Sequence, residues 1–194
     1  MNTLKKKILV ADDDRVILLT LAEGLTKAGY LVIAAQSGKQ ALALSNSEHP
    51  DLALLDICMP DIDGIALAQS ICQDSAVPFV FLSAYDDEGL AKRAVEAGAL
   101  GYLVKPQSLP AILLALRVAL ARAEEIASLR QREQQLERAL ASNRIIATAV
   151  GILMRENQVS QQEGFERLRR LARDRRLKLE DLARTLVEEA ERPD

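Results

Sequence analysis

Short apolar runs alternate with helical patterns over residues 7–104 of this 194-residue chain, and this alternation constrains the fold most strongly. Strands that alternate with helices predict an α/β fold built on a parallel sheet. The runs are almost continuously apolar, which is typical of strands buried on both faces. We predict helices near residues 15–28, 37–46, 64–73 and 87–97, and strands at Lys7–Ala11, Leu31–Ala35, Leu52–Leu55, Phe79–Leu82 and Gly101–Val104.

Four of these runs end at residues that phosphoryl chemistry needs. Asp12 and Asp13 follow the first run, Asp56 the third, Ser83 the fourth and Lys105 the fifth. The carboxyl ends of parallel strands meet at one edge of a sheet, where such folds bind ligands. We therefore expect three carboxylates, a hydroxyl and an ammonium group to converge there.

Three neighbouring carboxylates repel one another unless a hard cation lies among them, and Mg²⁺ typically binds a few carboxylates together with waters and a phosphate. A remaining carboxylate can act as a nucleophile and form an aspartyl phosphate. Lys105 would place a positive charge on the phosphoryl oxygens, and Ser83 a hydroxyl donor. Residues of these types are also compatible with hydrolysis of an external phosphoester.

The motifs at the strand ends resemble the receiver domain of bacterial response regulators over about residues 5–122. They are DDD after the first strand, DICMPDIDG after the third, SAY after the fourth and GYLVKP at the fifth. The resemblance implies a flavodoxin-like, five-stranded parallel sheet of order 2-1-3-4-5. It also implies a sensor histidine kinase as partner, and a switch with at most intrinsic autophosphorylation and autodephosphorylation rather than an enzyme.

The same resemblance assigns roles to individual residues. Asp56 would be the phosphoacceptor and Asp13 a direct Mg²⁺ ligand, with Asp12 acting mainly through bound water. The remaining assignments are the backbone carbonyl of Cys58 as a ligand, Ser83 and Tyr102 as a switch pair, a cis peptide at Lys105–Pro106, and Asp14 as the cap of the next helix.

A helical pattern opens at Ser108 and, after Pro110, meets no glycine or proline until Gly151. Such length without a breaker is typical of a coiled coil. The a and d positions would be Ile126, Leu129, Glu133, Leu136, Leu140, Asn143, Ala147, Val150 and Met154. We expect a parallel homodimer through Ile126, Leu129, Leu136, Leu140 and Asn143, with Asn143 fixing the register. The alternative is one amphipathic helix folded back on the first module.

Two shorter helices are predicted at Ser160–Arg173 and Leu179–Glu191, the first opened by a capping box of Ser160 and Glu163. They can share a small three-helix core with the preceding helix. One face of that core would consist of Ile146, Ala149, Ile152 and Leu153, and another of Phe165, Leu168 and Ala172.

This stretch, from about Arg138 to Val187, resembles the ANTAR domain, an RNA-binding output of transcription antitermination regulators. Val150, where a lysine is common, and Gly164, where alanine is usual, depart from the family pattern. The resulting division is a receiver at 1–122, a coiled-coil linker at 123–140 and an ANTAR domain at 138–190.

The resemblance implies binding to RNA leader hairpins and antagonism of transcription termination. Residues 164–178 carry seven basic and two acidic side chains, whereas residues 1–121 carry 10 basic and 14 acidic ones. Phosphate contacts are expected from Arg167, Arg170, Arg173, Arg176 and Lys178. Charge alone also fits a solvated helix face. The rival functions are a helix-turn-helix DNA-binding regulator, which the acidic last helix disfavours, and a protein adaptor.

Composition excludes several other classes. With three Phe, three Tyr and no Trp, an extended aromatic platform for stacking bases is not expected. No apolar run approaches 18 residues, and the start of the chain lacks the apolar segment of a signal peptide, so a cytoplasmic protein is predicted. Cys58 and Cys72 have neither a CxxC spacing nor histidine partners, which argues against a structural metal site.

Overall fold

The computed structural model describes residues 5–75 and 77–190, without the side chains of Asp74 and Ser75. The chain divides after Ala127 into two compact units, called here the N-terminal and the C-terminal unit. Helix α5, Leu109–Asn157, contributes residues to both. Within the described ranges, no helix is both long enough and apolar enough to cross a bilayer.

The N-terminal unit is built on a five-stranded parallel sheet of order β2-β1-β3-β4-β5, which confirms the predicted topology. Strands β3 and β4 each run one residue beyond the predicted end and so include Asp56 and Ser83, whereas β5 begins one residue later than predicted. The strands are β1 Lys7–Ala11, β2 Leu31–Ala35, β3 Leu52–Asp56, β4 Phe79–Ser83 and β5 Tyr102–Val104.

Helices cover both faces of this sheet, as the continuously apolar strands require. They are α1 Arg15–Lys27, α2 Gly38–Glu48, α3 Gly64–Ser75, α4 Glu88–Glu96 and the first part of α5. Successive strand residues point to opposite faces. On β1, Leu9 and Ala11 pack on the side of α2, α3 and α4, while Ile8 and Val10 pack on the side of α1 and α5. Packing on both faces of the sheet holds the ends of the strands in fixed relative positions.

Asp14 and Asp61 are two of the aspartates whose side chains accept hydrogen bonds from the first amides of helices in this unit. Asp14 accepts hydrogen bonds from the amides of Val16 (2.8 Å) and Ile17 (3.2 Å), which confirms its predicted role in α1. Asp61 lies far away in sequence from the helix that it caps. Its two carboxylate oxygens accept from the amides of Gly38 (3.0 Å) and Lys39 (2.9 Å) at the start of α2. The loop after β3 is thereby tied to the neighbouring helix.

The Asp61 cap should make stability depend on pH. The hydrogen bonds from Lys39 and Gly38 lower the pKa of Asp61 below its usual value of 3.8. Because the folded pKa is depressed, the stabilisation is complete above about pH 4 and is lost as the pH falls through the folded value. We expect Asp61→Ala to lower the free energy of unfolding at pH 6. The difference in unfolding free energy between wild type and variant should become smaller below pH 4, as measured by urea titrations.

Asp86→Ala provides the matched control, because Asp86 is an exposed carboxylate without a hydrogen bond or salt bridge in the described part of the chain. If the difference in unfolding free energy between wild type and Asp61→Ala does not change with pH, the charge of the Asp61 carboxylate does not contribute to capping.

The C-terminal unit is a small three-helix core formed by the end of α5, α6 (Gln161–Asp174) and α7 (Leu179–Ala190). The predicted capping box at the start of α6 is confirmed, with Ser160 and Glu163 bonded reciprocally. The predicted end of the last helix, Glu191, lies outside the described residues. The buried residues of this core are Ala149, Val150, Leu153, Leu168, Ala172, Leu182 and Ala183.

Parts of the predicted packing in this unit are wrong. Phe165 is 37% exposed and, like Ile152, lies outside the core cluster that both were expected to join. Val150 and Met154, predicted as coiled-coil positions, pack instead against Gly164 in α6. A straight α-helix drifts by about 20° per heptad, so a strict heptad pattern loses the seam as it enters a globular core.

The middle of α5 is not buried by the rest of the described chain, although Glu124 forms an ion pair with Lys6 at 3.0 Å. Every residue from 124 to 141 is exposed. Leu129, Leu136 and Leu140 are each more than half exposed. Four of the five predicted dimer residues, Ile126, Leu129, Leu136 and Leu140, thus lie on this exposed stretch, where a second helix could reach them, and Asn143 lies just beyond it.

Candidate functional site

The three predicted carboxylates come together at the carboxyl edge of the sheet. One carboxylate oxygen from each of Asp12, Asp13 and Asp56 lies within 4.8 Å of the others. Asp12 and Asp56 are buried, and Asp13 is exposed. Adjacent strands β1 and β3 position this cluster, since Ala11 and Leu55 pair in register just before the acidic residues.

Lys105, which follows the edge strand β5, reaches the acidic cluster with its side chain. Its Nζ donates to Asp12 Oδ2 at 2.7 Å and lies 3.1 Å from Asp56 Oδ2. The side chain of Lys105 is only 14% exposed. A hydrogen bond of 2.6 Å from the Lys105 amide to the Ser83 carbonyl aligns the ends of β5 and β4. The ammonium group therefore neutralises part of the acidic cluster at short range.

Burial and charge oppose each other in this cluster. Burial raises the pKa of Asp12 above its usual value, although the hydrogen bond and the charge of Lys105 act in the opposite direction. For Lys105, burial would lower the pKa, but the bond to Asp12 and the charge of Asp56 outweigh it, so that pKa is raised. The lysine is therefore held in its charged form beside the carboxylates.

Ser83 and Tyr102 are linked through the loop that follows β4. Ser83 is fully buried, and its Oγ accepts a hydrogen bond of 3.1 Å from the Tyr85 amide. The hydroxyl of Tyr102 donates to the Tyr85 carbonyl at 2.8 Å. Tyr85 itself is 58% exposed. The backbone of Tyr85 therefore bonds to both Ser83 and Tyr102.

Gly64, the first residue of α3, lies against the backbone that carries Asp56. Its amide donates to the Ile57 carbonyl at 2.8 Å. A Cβ at this position would lie 2.1 Å from the Asp56 carbonyl oxygen and 2.7 Å from Ile57 Cα. Only glycine permits this approach, so Gly64 sets the position of the loop after β3. The sequence pattern alone does not predict this close contact.

Two further predictions concern residues beside the cluster: the cis peptide is confirmed, and the Cys58 carbonyl as a ligand stays a prediction. The peptide between Lys105 and Pro106 is cis, as expected. Cys58 is exposed and its pKa is raised, first by burial of the sulfur and then by the charge of Asp56. A raised pKa keeps Cys58 a thiol rather than a reactive thiolate. The Cys58 amide lies 3.4 Å from Asp56 Oδ1.

The C-terminal unit carries an exposed basic surface at the end of α6. Arg167, Arg170, Arg173, Arg176 and Lys178, the five residues predicted to contact RNA, are all exposed. Within the described residues, none of the five forms a salt bridge, whereas Arg169 pairs with Glu166 and Arg184 with Glu180. These unpaired cations are available for an anionic partner.

Comparison with known proteins assigns a family to both units. The family profile of the response regulator receiver domain matches residues 8–117, and that of the ANTAR domain matches residues 134–187. The chain belongs to the response regulators that join a receiver domain to an ANTAR domain. The transcriptional regulatory protein PdtaR of Mycobacterium tuberculosis is 33% identical over 184 residues, which cover 94% of this chain and 90% of that protein.

Other relatives match the receiver domain alone. The probable transcriptional regulator ycf27 of Guillardia theta is 38% identical over 63% of this chain and 48% of its own length. Among solved structures, a receiver domain protein from Methanospirillum hungatei superposes with a TM-score of 0.60 at 28% identity, covering 63% of this chain and 98% of that one. The HemR receiver domain from Leptospira biflexa gives 0.57 at 32% identity, over 60% and 94%.

The two departures from the ANTAR pattern contact each other. Val150 is buried, and a Cβ added to Gly164 would lie 3.3 Å from Val150 Cγ1, 3.2 Å from Met154 Cγ and 3.4 Å from the Val150 carbonyl oxygen. At this position of α5 the side chain faces α6, so the valine here fills space that the glycine leaves open.

This contact predicts a coupled effect on stability. Alanine favours a helix over glycine by about 1 kcal/mol, but in the wild-type background its Cβ would crowd Val150. We expect Gly164→Ala to be more favourable in a Val150→Ala background, with a coupling free energy of about 0.5 kcal/mol or more. Thermal and urea unfolding of the four variants would measure it. Gly151→Ala, where a Cβ meets nothing within 4 Å, should give the same effect in both backgrounds.

Proposed function

We propose that this response regulator is phosphorylated on Asp56 by a sensor histidine kinase, and that phosphorylation controls the binding of RNA hairpins by its ANTAR domain. Binding would antagonise transcription termination in the bound leader RNA. The observation that carries the proposal is the Asp12, Asp13, Asp56 and Lys105 cluster, together with a chain that matches both domains. Both partners act in the cytoplasm, so a cytoplasmic protein is proposed.

The carboxylates fit a bound Mg²⁺. Three carboxylate oxygens within 4.8 Å, one of them on an exposed residue, provide hard oxygen donors with an open side for water and phosphate. Asp13 and Asp56 would ligate the ion directly, Asp12 mainly through water, and the Cys58 carbonyl would complete the site. When bound, the ion supplies positive charge to the transferring phosphoryl oxygens.

Asp56 acts as the nucleophile in this proposal. A carboxylate oxygen of Asp56 attacks the phosphorus of a phosphohistidine, a P–O bond forms, the P–N bond breaks, and the histidine nitrogen takes up a proton. Lys105, already 3.1 Å from Asp56 Oδ2, would pair with the new phosphoryl oxygens. Its buried stem and the alignment of β5 on β4 limit the freedom that this step must remove.

The response is proposed to pass through Ser83 and Tyr102. A phosphoryl group on Asp56 offers acceptors to the Ser83 hydroxyl, which at present accepts from the Tyr85 amide. Drawing Ser83 to the phosphate would rearrange the loop that Tyr102 holds through the Tyr85 carbonyl. This surface and the adjoining start of α5 then carry the signal.

The output is proposed to be a dimer. Ile126, Leu129, Leu136 and Leu140 lie on the exposed stretch 124–141 of α5, and Asn143 follows it. Pairing two such helices would bury the four apolar side chains, with Asn143 fixing the register. A dimer would present two basic surfaces to an RNA. Proposed boundaries are 1–122 for the receiver, 123–140 for the linker and 138–190 for the ANTAR domain.

Binding of hairpins selected from a library with a fixed stem and a randomised loop tests this function. We expect acetyl phosphate to tighten RNA binding by the wild-type protein in a filter or gel-shift assay, and duplex DNA of the same stem sequence not to compete. Unchanged RNA affinity after confirmed phosphorylation would refute the switch, and preference for duplex DNA would refute the RNA output. The acidic α7, with Glu180, Asp181, Glu188 and Glu189, is poorly suited to a DNA groove.

The basic surface should determine the salt dependence of RNA binding. Each cation that neutralises a phosphate contributes about 0.7 to 0.9 to the slope of log affinity against log salt. We expect Arg176→Ala to weaken binding for all selected hairpins and to reduce the slope by about that amount. Arg184→Ala, at an arginine paired with Glu180 in α7, is the control and should leave the slope unchanged. Equal effects of the two substitutions would contradict a localised phosphate contact.

A further inference from the structure

A groove with a volume of about 590 Å³ opens in the ANTAR domain between α5 and the beginning of α6. One wall consists of Asn143, Ile146, Ala147 and Val150, and the other of Ser160, Gln161, Gln162 and Phe165. All of these residues belong to the C-terminal unit. A groove between two helices is a form that can receive a further helix.

The α5 wall of the groove continues the apolar stripe of the exposed stretch of α5. Leu136, Leu140, Asn143 and Ala147 follow one another at steps of four, three and four residues, so they lie on one face of the helix. Asn143 and Ala147 are exposed in the single chain. The face that a second α5 would cover at Leu136 and Leu140 thus leads directly into the groove.

The α6 wall carries a large apolar side chain that the fold of one chain leaves partly open. Phe165 is 37% exposed and lies outside the core cluster of the domain. Burial of a phenylalanine ring is among the larger single contributions that a side chain makes to a core or an interface. In one chain that contribution is incomplete, so the ring offers a strong contact to the occupant of the groove.

The charge of the groove favours a protein helix over a nucleic acid. The eight residues that line it are all uncharged. The carboxylates of Glu163 and Glu166 flank Phe165 and would repel phosphates, and both are already bonded to residues near them in sequence. An uncharged helix face with a small side chain is therefore the complementary occupant, and Asn143 and Ala147 of another chain provide such a face.

Two charges beside the apolar stripe indicate how a second α5 would lie. Arg132 and Glu137 flank the stripe on opposite sides, at g and e positions five residues apart. In a parallel pair these positions of the two chains adjoin and form interhelical ion pairs. Among the described residues, neither side chain has an ion pair within its own chain. A parallel pair in register brings equal levels of the two helices together, so the second copy presents its Asn143 and Ala147 to the groove.

We infer that the groove receives α5 of a second copy of this chain, with Phe165 packed over Asn143 and Ala147 of that copy. The inference rests on the dimer of the proposed function and extends its interface from the exposed stretch of α5 to α6. By twofold symmetry, each chain provides and receives the same contact. Because Phe165 lies on the helix that ends in the basic surface, the contact also fixes the separation between the two basic surfaces of the dimer.

Site-specific photocrosslinking of the full-length protein tests this contact. Phe165 is replaced by the photoreactive amino acid p-benzoylphenylalanine, and these chains are mixed with isotope-labelled wild-type chains and phosphorylated with acetyl phosphate and Mg²⁺. We expect crosslinks to the labelled tryptic peptides 139–144 and 145–155, which contain Asn143 and Ala147. The isotope label distinguishes them from crosslinks within one chain. The same amino acid at Arg184 of α7, outside the groove, is the control and should reach neither labelled peptide.

Sedimentation of wild type and Phe165→Ala measures the contribution of the ring. Because the contact occurs twice in a dimer, we expect the dimer dissociation constant to rise by about 10- to 100-fold, and Arg184→Ala to leave it unchanged. Phe165 lies outside the core cluster, so the variant should keep the circular dichroism of the wild type at a concentration where both are monomeric. The crosslinking result decides the matter if Phe165→Ala fails to fold, because p-benzoylphenylalanine keeps an aromatic ring.

Three outcomes would overturn the inference. A dimeric wild type without crosslinks from position 165 to either labelled peptide, or with an unchanged dissociation constant in Phe165→Ala, would confine the dimer to the exposed stretch and leave the proposed function intact. Crosslinks from position 165 to an added hairpin RNA, in place of the labelled peptides, would assign the groove to the nucleic acid. A wild type that stays monomeric after confirmed phosphorylation would refute the proposed dimer and this inference together.

Discussion

Asp56→Asn should abolish incorporation of phosphate into the protein and hold RNA affinity at its unphosphorylated value. An amide cannot attack phosphorus to form an acyl phosphate, and the neighbouring carboxylates occupy other roles in the cluster. Asp56 ends β3 in a fully buried strand, with its carboxylate 3.1 Å from Lys105 Nζ. Radiolabelled acetyl phosphate, followed by mass spectrometry of the intact protein, would measure incorporation.

Asp14→Asn is the matched control for this substitution. Asp14 directly follows Asp13 of the acidic cluster but caps α1 through the amides of Val16 and Ile17, a position that asparagine fills equally well. We expect normal phosphate incorporation in Asp14→Asn. Stoichiometric labelling of Asp56→Asn would show that another residue accepts the phosphoryl group.

Gly64→Ala should destabilise the receiver domain by about 3 kcal/mol or more and slow phosphorylation by about 100-fold. The alanine Cβ would meet the Asp56 carbonyl oxygen at 2.1 Å and Ile57 Cα at 2.7 Å. Neither is a side chain that can rotate away, so the backbone that carries the phosphoacceptor must move. Urea unfolding and the rate of labelling by acetyl phosphate give the two measurements.

Gly101→Ala tests whether the effect is specific to this close approach. A Cβ there would meet only the side chain of Val80, at 3.3 Å, so we expect a small change in stability and normal labelling. A similarly small effect of Gly64→Ala would mean that the loop after β3 has room that the structure does not show.

The sequence predicted the convergence of the acidic cluster because each of its residues lies at, or directly after, the end of an apolar strand. Once the order 2-1-3-4-5 is assigned, β1 and β3 are neighbours and β5 lies beyond β4 at the same edge of the sheet. The long side chain of Lys105 then reaches Asp12 and Asp56. Strand ends are set by local hydrophobic pattern, and their convergence by topology. Neither step needs knowledge of side-chain packing.

Contacts between residues far apart in the sequence could not be predicted from the same patterns. Asp61 reads as a loop residue, and nothing local signals that it caps a helix 22 residues earlier in the chain. Phe165 has the spacing of a core residue, and its exposure follows only from how α6 lies on α5. Likewise, the pairing of Val150 with Gly164 depends on the separation of two helix axes, which neither sequence pattern records.

The exposed stretch of α5 also allows self-association of the chain to be measured by hydrogen exchange. Helical backbone without tertiary packing is only marginally stable in water, and every residue from 124 to 141 is exposed in a single chain. Amide hydrogens along this stretch should therefore exchange rapidly with deuterium in a monomer and slowly once a second helix covers Leu129, Leu136 and Leu140. Hydrogen exchange measured before and after phosphorylation would thus show whether phosphorylation causes self-association, without attaching a probe to the protein.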